Sequence, residues 1–523
     1  MKSKIINLEN AIKKIKNGSV VAVGGFIGSG HPEAITSEIE RYFLQYGTPN
    51  NLKLIYAAGQ GDSKDKGLNH FGHKGLVSKI IGGHWALSPK LQKLAVNNEV
   101  EAYNIPQGII SHMYRDIAAG KPGTISKVGL QTFVDPRLGG GKLNEITKED
   151  IVSVINIENK EYLFYKSIPI DVAILRATYA DEEGNATFDK EAAILDATSM
   201  AQAAKNSGGI VILQVENVVS KGSLDPRKVK IPGIYVDAIV ISKPEEHMQT
   251  FAQLYNPAYS GEIKLPVNSL ETLPLDERKI IARRAAMELK PDSIINLGIG
   301  MPEGISIVAN EEGIGDQMTL TIESGPIGGV PANGLNFGAS LNPVSILDQS
   351  NQFDFYDGGG LDLAFLGLAQ CDKKGNINVS KFGTKIAGCG GFINITQNSK
   401  KVVYCGTFTA SGLKVQVFNG QLNIINEGKV KKFIDQVEQI TFSGEYAAKT
   451  KQEVLYITER AVFKLGKKGL ILEEIAPGID IEKDILRNMT FKPIISENLR
   501  VMDEIIFKEG LMGLLIEYRL LNN

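Results

Sequence analysis

Two halves of the chain repeat one short pattern, and this repeat restricts the possible folds more than any other feature. Gly30-His31-Pro32-Glu33 matches Gly300-Met301-Pro302-Glu303, 270 positions later, and each copy follows a short apolar run and a glycine-rich turn. Proline is favoured in the first turn of a helix because its fixed φ suits that position. Each copy therefore predicts a strand, a tight turn and a helix, in that order.

The correspondence continues further along both halves. The apolar run that ends at Gly59 matches the run that ends at Gly325, and the segment that starts at Asp171 matches the segment that starts at Asp362. The offset falls from 266 to 191, so the first half carries about 75 additional residues between Gly59 and Asp171. The chain is predicted to hold two duplicated domains, of which the first carries an insertion.

Short apolar runs alternate with helical patterns in both halves, and residues 191–206 and 276–290 are two of the helix candidates. Several runs are apolar without alternation, as is typical of strands covered on both faces. This order predicts open α/β domains with mostly parallel sheets. Residues 255–276 contain three prolines and no long periodic run, so they are predicted to link a domain of residues 1–254 to a domain of residues 277–523.

Charge and composition exclude several classes of protein. The chain has 57 basic and 59 acidic residues, a balance that argues against binding to nucleic acid or an anionic membrane surface. It has no stretch of about 20 apolar residues that would span a membrane. The amino-terminal segment lacks the features of a signal peptide, and three sparse cysteines fit a reducing compartment, so a cytoplasmic location is expected. Glycine, with 55 residues, exceeds its usual share of about 7% and indicates many turns and close backbone approaches.

A carboxylate follows one of the predicted strands. Ligands of open α/β sheets collect beyond the carboxyl ends of the strands. There the first copy has Ala57-Ala58-Gly59 and the second has Glu323-Ser324-Gly325. Glu323 is either a reactive group or a helix-capping acid, and the position alone does not decide between them.

Motifs for other chemistries are missing from the sequence. The glycine-rich dinucleotide and P-loop patterns and the serine-hydrolase pattern do not occur. His70, His73 and His84 leave a metal site as a minor alternative that would need ligands in good geometry, and no metal is expected.

Several segments resemble the family I coenzyme A transferases. Residues 17–32 resemble the first signature of that family, with an Asn-Gly start, an apolar triplet, Gly-Gly-Phe and a following proline. Residues 323–331 are similar to the nucleophile loop of the propionate/acetate CoA-transferase branch and depart from the Ser-Glu-Asn-Gly form of the 3-oxoacid branch. Further matches lie at residues 101–108, 133–137, 356–362, 390–392 and 458–460. The resemblance therefore covers essentially the whole chain.

The resemblance implies two duplicated open α/β domains of the CoA-transferase type and a covalent mechanism on Glu323. An ordinary glutamate has a pKa near 4.3 and is ionised at neutral pH, so such a nucleophile needs no partner base. The reaction implied is transfer of coenzyme A between a short-chain acyl-CoA and a free carboxylate such as acetate or propionate, through a glutamyl-CoA thioester. Coenzyme A and acyl-CoA are then substrates, and no permanently bound cofactor is expected.

The resemblance also implies roles for further residues. Backbone amides of Gly24, Gly25 and Phe26 would stabilise an oxyanion at the acyl end, and Gln107 would donate a hydrogen bond to the carboxylate substrate. Coenzyme A would be bound by four glycines, Gly359, Gly360, Gly390 and Gly391. Glycine-rich turns without a ligand and a satisfied loop amide are the alternatives at these positions.

Two other functions remain open at this point, an acyl-CoA hydrolase on the same scaffold and a non-enzymatic acyl-CoA sensor or assembly subunit. The expected partners are acyl-CoA and short-chain carboxylates, with neither nucleic acid nor membrane among them. A homodimer or homotetramer is expected.

Overall fold

The computed structural model describes residues 3–266 and 272–515, which fall into two compact units. The first unit comprises Met1–Leu265, Ile322–Asp354 and Phe382–Asn394, and the second comprises Pro266–Thr321, Phe355–Lys381 and Ile395–Asn523. Residues 267–271 of the predicted linker lie outside the described residues. The division of the sequence into residues 1–254, 255–276 and 277–523 stays a prediction.

Some of the described helices begin at a side chain that caps their amino end. Asp276, for example, precedes a helix and accepts hydrogen bonds from the backbone N–H groups of Arg278 and Lys279. The helices are α1 (Leu8–Ile12), α2 (Glu33–Tyr46), α3 (Pro89–Val96), α4 (Gln107–Ala118), α5 (Ala197–Asn206), α6 (Glu277–Ala286), α7 (Glu303–Glu311), α8 (Gln349–Asp357), α9 (Phe392–Asn398) and α10 (Gly444–Thr450). The helix predicted over residues 191–206 is thus present only from Ala197 onward, because Leu195 adopts a left-handed backbone conformation with φ +61°.

The strands are short, and many of them are fully buried. Those up to residue 241 are β1 (Val20–Val23), β2 (Leu52–Tyr56), β3 (Val77–Gly82), β4 (Glu101–Asn104), β5 (Gly123–Ser126), β6 (Val152–Ile157), β7 (Lys160–Lys166), β8 (Val172–Asp181), β9 (Ala186–Thr187), β10 (Ile210–Val219) and β11 (Ala238–Ile241). The following strands up to residue 386 are β12 (Ile294–Leu297), β13 (Thr319–Thr321), β14 (Pro326–Ile327), β15 (Val330–Pro331), β16 (Ser340–Leu341), β17 (Ser345–Ile346), β18 (Leu363–Gly367), β19 (Gln370–Asp372), β20 (Ile377–Asn378), β21 (Lys381–Phe382) and β22 (Lys385–Ile386). The last are β23 (Lys401–Cys405), β24 (Thr409–Ala410), β25 (Lys414–Phe418), β26 (Gln421–Asn426), β27 (Val430–Lys431), β28 (Phe433–Ile434), β29 (Glu453–Ile457), β30 (Ala461–Gly466), β31 (Gly469–Ile475) and β32 (Ile494–Val501).

The first unit is built on a parallel sheet with strand order β11-β10-β8-β1-β2-β3-β4. The central pairs are in simple register, with Val21 opposite both Leu54 and Val172. Side chains from both neighbours of β1 are buried in one apolar core together with Trp85. The segment between β4 and β8 contains a separate antiparallel sheet of order β5-β7-β6. It lies within the stretch that was predicted as the insertion.

The second unit repeats the central order of the first. Its strands follow the order β13-β12-β18-β23-β29-β30-β31-β32, and the pairs from β13 to β29 are parallel. The order β10-β8-β1-β2 of the first unit corresponds to β23-β18-β12-β13 here, and β1 and β12 each lead into a glycine turn and a helix. The prediction of two duplicated, mostly parallel α/β domains is confirmed.

Two further observations concern the chain as a whole. No helix of residues 3–266 and 272–515 has the length and apolar character needed to cross a bilayer. The three cysteines, Cys371, Cys389 and Cys405, are free thiols and all are buried.

Candidate active site

Four parallel strands of the first unit end at the same edge of its sheet. Gly24 and Gly25 follow β1, His84 lies two residues beyond β3, and Gln107 lies three residues beyond β4. Ligands of open α/β sheets bind beyond this edge. The edge therefore brings together three of the residues for which the sequence predicted a catalytic role.

The turn after β1 leaves one backbone donor unused. The N–H of Gly24 donates to the carbonyl of Ile174 at 3.0 Å, and the N–H of Phe26 donates to that of Ser29 at 2.8 Å. In the described part of the chain, the N–H of Gly25 has no hydrogen-bond partner, although Gly25 is buried. Buried backbone N–H groups are nearly always paired, which makes this amide a candidate donor to a ligand.

Gly25 occupies a position that no other residue fits. Its φ is +149°, and a Cβ atom built on it would lie 2.5 Å from Oε1 of Gln60. The Gln60 amide is fixed because its Nε2 donates to the carbonyl of Val23 at 2.9 Å and its Oε1 lies 2.6 Å from Nδ1 of His31. Burial lowers the pKa of His31 to about 4, so the imidazole is neutral at pH 7 and its Nδ1–H donates to Gln60.

Glu323 lies on a tight turn whose other residues are anchored. The N–H of Gly325 donates to the carbonyl of Ile322 at 3.0 Å, which closes the turn. The hydroxyl of Ser324 donates to the carbonyl of Gly338 at 2.6 Å, and Ser324 is fully buried. Glu323 itself is only partly buried. The turn is therefore held in place while the residue that carries the carboxylate keeps partial access to solvent.

An apolar cluster joins the Glu323 turn to the turn after β1. Its buried members are Phe26, Ile27, Ala58, Ala193, Leu195, Ile322 and Phe337. Ile322 immediately precedes Glu323, and Phe26 immediately follows Gly25. The rings of Phe26 and Phe337 pack with their centroids 5.7 Å apart. The Glu323 turn and the unused amide of Gly25 thus belong to one packed region of the first unit.

Gln107 and Gly390 are joined through their backbones. The N–H of Gln107 donates to the carbonyl of Gly390 at 2.9 Å, and the N–H of Gly390 donates to that of Gly83 at 2.7 Å. Gly390 has φ +51°, and a Cβ atom on it would lie 3.7 Å from both Oε1 of Gln107 and Cδ2 of His84. Burial lowers the pKa of His84 to about 4, so its ring is neutral at pH 7. An amide and an imidazole therefore border Gly390, and the buried Gly391 is next along the chain.

The side chain of Gln107 is held by residues that the sequence did not single out. Its Nε2 donates to Oε1 of Gln349 at 3.1 Å. Nε2 of Gln349 in turn donates to Oδ2 of Asp196 at 2.7 Å and to Oγ of Ser111 at 2.9 Å. All four side chains are buried. Burial, with a contribution from the charge of Asp348, raises the pKa of Asp196 to about 7.

The remaining two glycines predicted to bind coenzyme A lie in the second unit. Gly359 has φ +86° and donates its N–H to the carbonyl of Tyr356 at 3.0 Å, and Gly360 donates to that of Phe355 at 2.9 Å. These bonds satisfy carbonyls at the end of α8, as a glycine cap does. Both glycines precede β18 and so lie at the amino end of that strand. Their predicted contact with coenzyme A stays a prediction.

Two of the three histidines considered as metal ligands, His70 and His73, are engaged with glutamates. His70 hydrogen-bonds to Glu33 at 2.9 Å and to Glu40 at 2.5 Å, and His73 bonds to Glu40 at 2.5 Å. Burial opposes protonation of His70, but the bonds to the two carboxylates outweigh it and raise the pKa of His70. Across residues 3–266 and 272–515 no group of three or more His, Cys, Asp or Glu side chains is arranged to hold a metal ion.

The duplicated sheets and the sequence together define the class of protein. Residues 5–242 match the model of the coenzyme A transferase family. The chain belongs to the coenzyme A transferase family, and it is an enzyme that transfers coenzyme A between an acyl-CoA and a carboxylate. The prediction of this family from the sequence is confirmed.

Individual members of the family are similar to this chain over nearly its whole length. The chain is 46% identical over 515 residues to the acetate CoA-transferase YdiF of Escherichia coli strain K12, which covers 98% of this chain and 96% of the relative. It is also 46% identical over 518 residues to the caffeate CoA-transferase of Acetobacterium woodii, which covers 98% of this chain and 99% of the relative. The crystal structure of YdiF from Escherichia coli O157:H7 as a thioester complex with CoA has a TM-score of 0.92 at 45% identity, covering 98% of this chain and 97% of that one.

Proposed function

We propose that the protein transfers coenzyme A between a short-chain acyl-CoA and a free carboxylate, such as acetate or propionate, by a ping-pong reaction through a glutamyl-CoA thioester on Glu323. The observation that carries the proposal is the anchored turn at Glu323. Ser324 and Gly325 fix the backbone while Glu323 remains partly exposed. The similarity to an acetate CoA-transferase supports a small acid as acceptor.

The first half of the reaction moves coenzyme A to the enzyme. The Glu323 carboxylate attacks the thioester carbonyl, the C–S bond breaks, and the products are an acyl-glutamyl anhydride and the coenzyme A thiolate. The thiolate then attacks the glutamyl carbonyl of the anhydride, which forms the glutamyl-CoA thioester and releases the first acid as its carboxylate. A relative crystallised as a thioester complex with CoA supports this intermediate.

The second half runs the same steps in reverse with the incoming acid. Its carboxylate attacks the glutamyl-CoA carbonyl, and the coenzyme A thiolate leaves and a new anhydride forms. The thiolate then attacks the acyl carbonyl, so that the new acyl-CoA departs and the Glu323 carboxylate is regenerated. One thioester is exchanged for another, and the balance needs neither a nucleotide nor a redox partner.

The oxyanion of each tetrahedral intermediate needs a preorganised donor. Loss of one such donor lowers kcat by about 10²–10³-fold in other enzymes. Of the three residues predicted at the turn after β1, Gly24 and Phe26 already use their N–H groups, so we assign the donor role to Gly25. Gln107 is assigned the hydrogen bond to the substrate, and Gly390 and Gly391 are assigned to coenzyme A.

Intact-protein mass spectrometry after incubation with acetyl-CoA alone tests the covalent route. The wild type should gain the mass of one coenzyme A less one water, and Glu323→Gln and Glu323→Ala should gain none. Glu158→Gln serves as the control because Glu158 is an exposed turn glutamate of the same unit, between β6 and β7. An adduct that persists in both Glu323 variants would refute the mechanism.

An acyl-CoA hydrolase on the same scaffold is the alternative function. A transferase consumes acyl-CoA in multiple turnovers only when an acceptor acid is added, whereas a hydrolase does so without one. The rate of acetyl-CoA loss with and without added propionate separates the two. The expected cytoplasmic location and the homodimer or homotetramer stay predictions, the latter open to light scattering after size-exclusion chromatography.

A further inference from the structure

A buried relay of side chains connects Gln107 to Asp196 through Gln349. The links measure 3.1 Å from Gln107 to Gln349 and 2.7 Å from Gln349 to Asp196. Ser111 joins the relay from the side because it accepts from Gln349 and donates to Oδ2 of Asp196 at 3.1 Å. These side chains retain at most a few per cent of their exposure, so water does not compete for the bonds.

The bonds of the relay fix which atom of each amide faces which neighbour. Oδ2 of Asp196 receives two hydrogen bonds, from Ser111 and from Gln349, so it is an acceptor for both. The nitrogen of Gln349 must therefore face Asp196, and its oxygen must face Gln107. Gln107 then presents its nitrogen to Gln349 and its Oε1 toward Gly390, and one of the two N–H groups on the nitrogen remains for a ligand.

A backbone hydrogen bond also joins the segments that carry Gln349 and Asp196. The N–H of Gln349 donates to the carbonyl of Leu195 at 3.0 Å. Leu195 has φ +61°, a left-handed conformation that a residue other than glycine keeps only where the surroundings impose it. Leu195 packs in the same apolar cluster as Ile322, the residue before Glu323. The segment that anchors the relay is thus fixed against the region that holds the nucleophile.

We propose that Gln349 and Asp196 are positioning residues that orient the amide of Gln107 for transfer. They do not contact substrate. Asp196 sets the orientation of Gln349, and Gln349 sets that of Gln107, so that an N–H of Gln107 points toward the substrate carboxylate or oxyanion. This inference rests on the substrate-contacting role proposed for Gln107.

A double-mutant cycle tests the relay by steady-state transfer rates of the full-length enzyme. Gln349→Met keeps the side-chain length but removes the oxygen that accepts from Gln107 and the nitrogen that donates to Asp196. It should lower kcat by about 10-fold or more with KM changed less than about 3-fold, because an interaction made in the transition state is lost. In the background of Gln107→Met, the same substitution should change kcat by less than about 2-fold, because no oriented amide remains to be disturbed.

Gln352→Met is the matched control. Gln352 lies one turn further along α8 and is fully buried, and within the described residues both polar atoms of its side chain lack a hydrogen-bond partner. This variant should retain kcat within about 2-fold of the wild type, and near-ultraviolet circular dichroism should show equal packing for both methionine variants. If Gln349→Met does not fold, Asp196→Leu provides a second route, because it removes the oxygen that accepts from the nitrogen of Gln349.

Three results would overturn the proposal. They are a kcat for Gln349→Met equal to that of Gln352→Met, an equal fold-loss in kcat for Gln349→Met with and without the Gln107 amide, or, where Asp196→Leu replaces Gln349→Met, a kcat that equals the wild type. These results concern transfer rates, whereas the covalent route on Glu323 is judged by the coenzyme A adduct. A missing adduct in a wild type that still transfers coenzyme A would refute the proposed mechanism without deciding the relay, which the rates decide separately.

Discussion

Replacement of Asp196 by asparagine should stabilise the first unit above pH 7 and lose that advantage in acid. Burial raises the pKa of Asp196 from 3.8 to about 7, so between these values the folded state holds a proton that the unfolded state has released. Stability therefore falls as the pH rises through this range. At about 1.4 kcal/mol for each unit of pKa, the ionised carboxylate costs about 4 kcal/mol at pH 8.

Asparagine avoids this cost but introduces another. Its oxygen still accepts from Ser111 and Gln349, while its amide nitrogen takes the place of Oδ1, which has no partner among the described residues. An unsatisfied buried donor costs about 1–3 kcal/mol. The variant should therefore gain about 1–3 kcal/mol at pH 8 and be less stable than the wild type by a similar amount at pH 4. The change between these two pH values, about 4 kcal/mol, is the firmer number because the cost of the amide cancels from it.

Fluorescence of the single tryptophan can measure the stability of the first unit. Trp85 is fully buried in the first unit, so its fluorescence in urea follows unfolding of the part that contains Asp196. Infrared difference spectra between wild type and Asp196→Asn should also show a protonated-carboxyl band that disappears with a midpoint near pH 7. A stability difference that is constant from pH 5 to pH 8, or a band that titrates near 3.8, would refute the reasoning.

Two further predictions follow from the same region. Gly25→Ala should lower kcat by about 10²-fold, because the new methyl group would meet the Gln60 side chain and displace the proposed donor. Gly222→Ala is the control and should leave kcat unchanged, because Gly222 has φ +74° and open space around it. Equal rates for the two variants would contradict the donor role of Gly25. His70→Gln should lower the thermal stability at pH 6, because the protonated ring bridges two carboxylates there. The loss of stability should shrink as the pH rises above the raised pKa of His70. A loss that is the same at pH 6 and pH 9 would count against the charged bridge.

The duplicated fold could be predicted because its signals are local and occur twice. Buried parallel strands read as continuous apolar runs, and the glycine turn that ends each first strand is visible in a few residues. The matched patterns at Gly30 and Gly300 therefore predicted strands and helices that the structure contains as β1 with α2 and β12 with α7. The position of Glu323 beyond a strand followed from the same alignment of the two halves.

Such local patterns could not predict contacts between residues that are far apart in the sequence. Gln349 lies 242 residues from Gln107, and Asp196 lies in a stretch whose periodicity predicted helix. Only the folded chain places Asp196 in the relay, because the left-handed conformation of Leu195 delays the start of α5. Likewise, the sequence could not distinguish Gly25 from Gly24 as the free donor, since the N–H of Gly24 bonds to Ile174, which is distant in the chain.

The first unit consists of three separate segments of the chain, and this affects the order in which it can fold during synthesis. Its last two segments, Ile322–Asp354 and Phe382–Asn394, follow the first segment by long stretches of chain. At translation rates of about 5–20 residues per second, the ribosome needs on the order of 10 s after residue 265 before Asn394 emerges. During that interval, the surface that later packs around Ile322 and Phe337 is exposed. Chaperone binding to the nascent chain should therefore be strongest in this window, and ribosome-bound chains stalled before residue 322 should display an uncovered apolar patch.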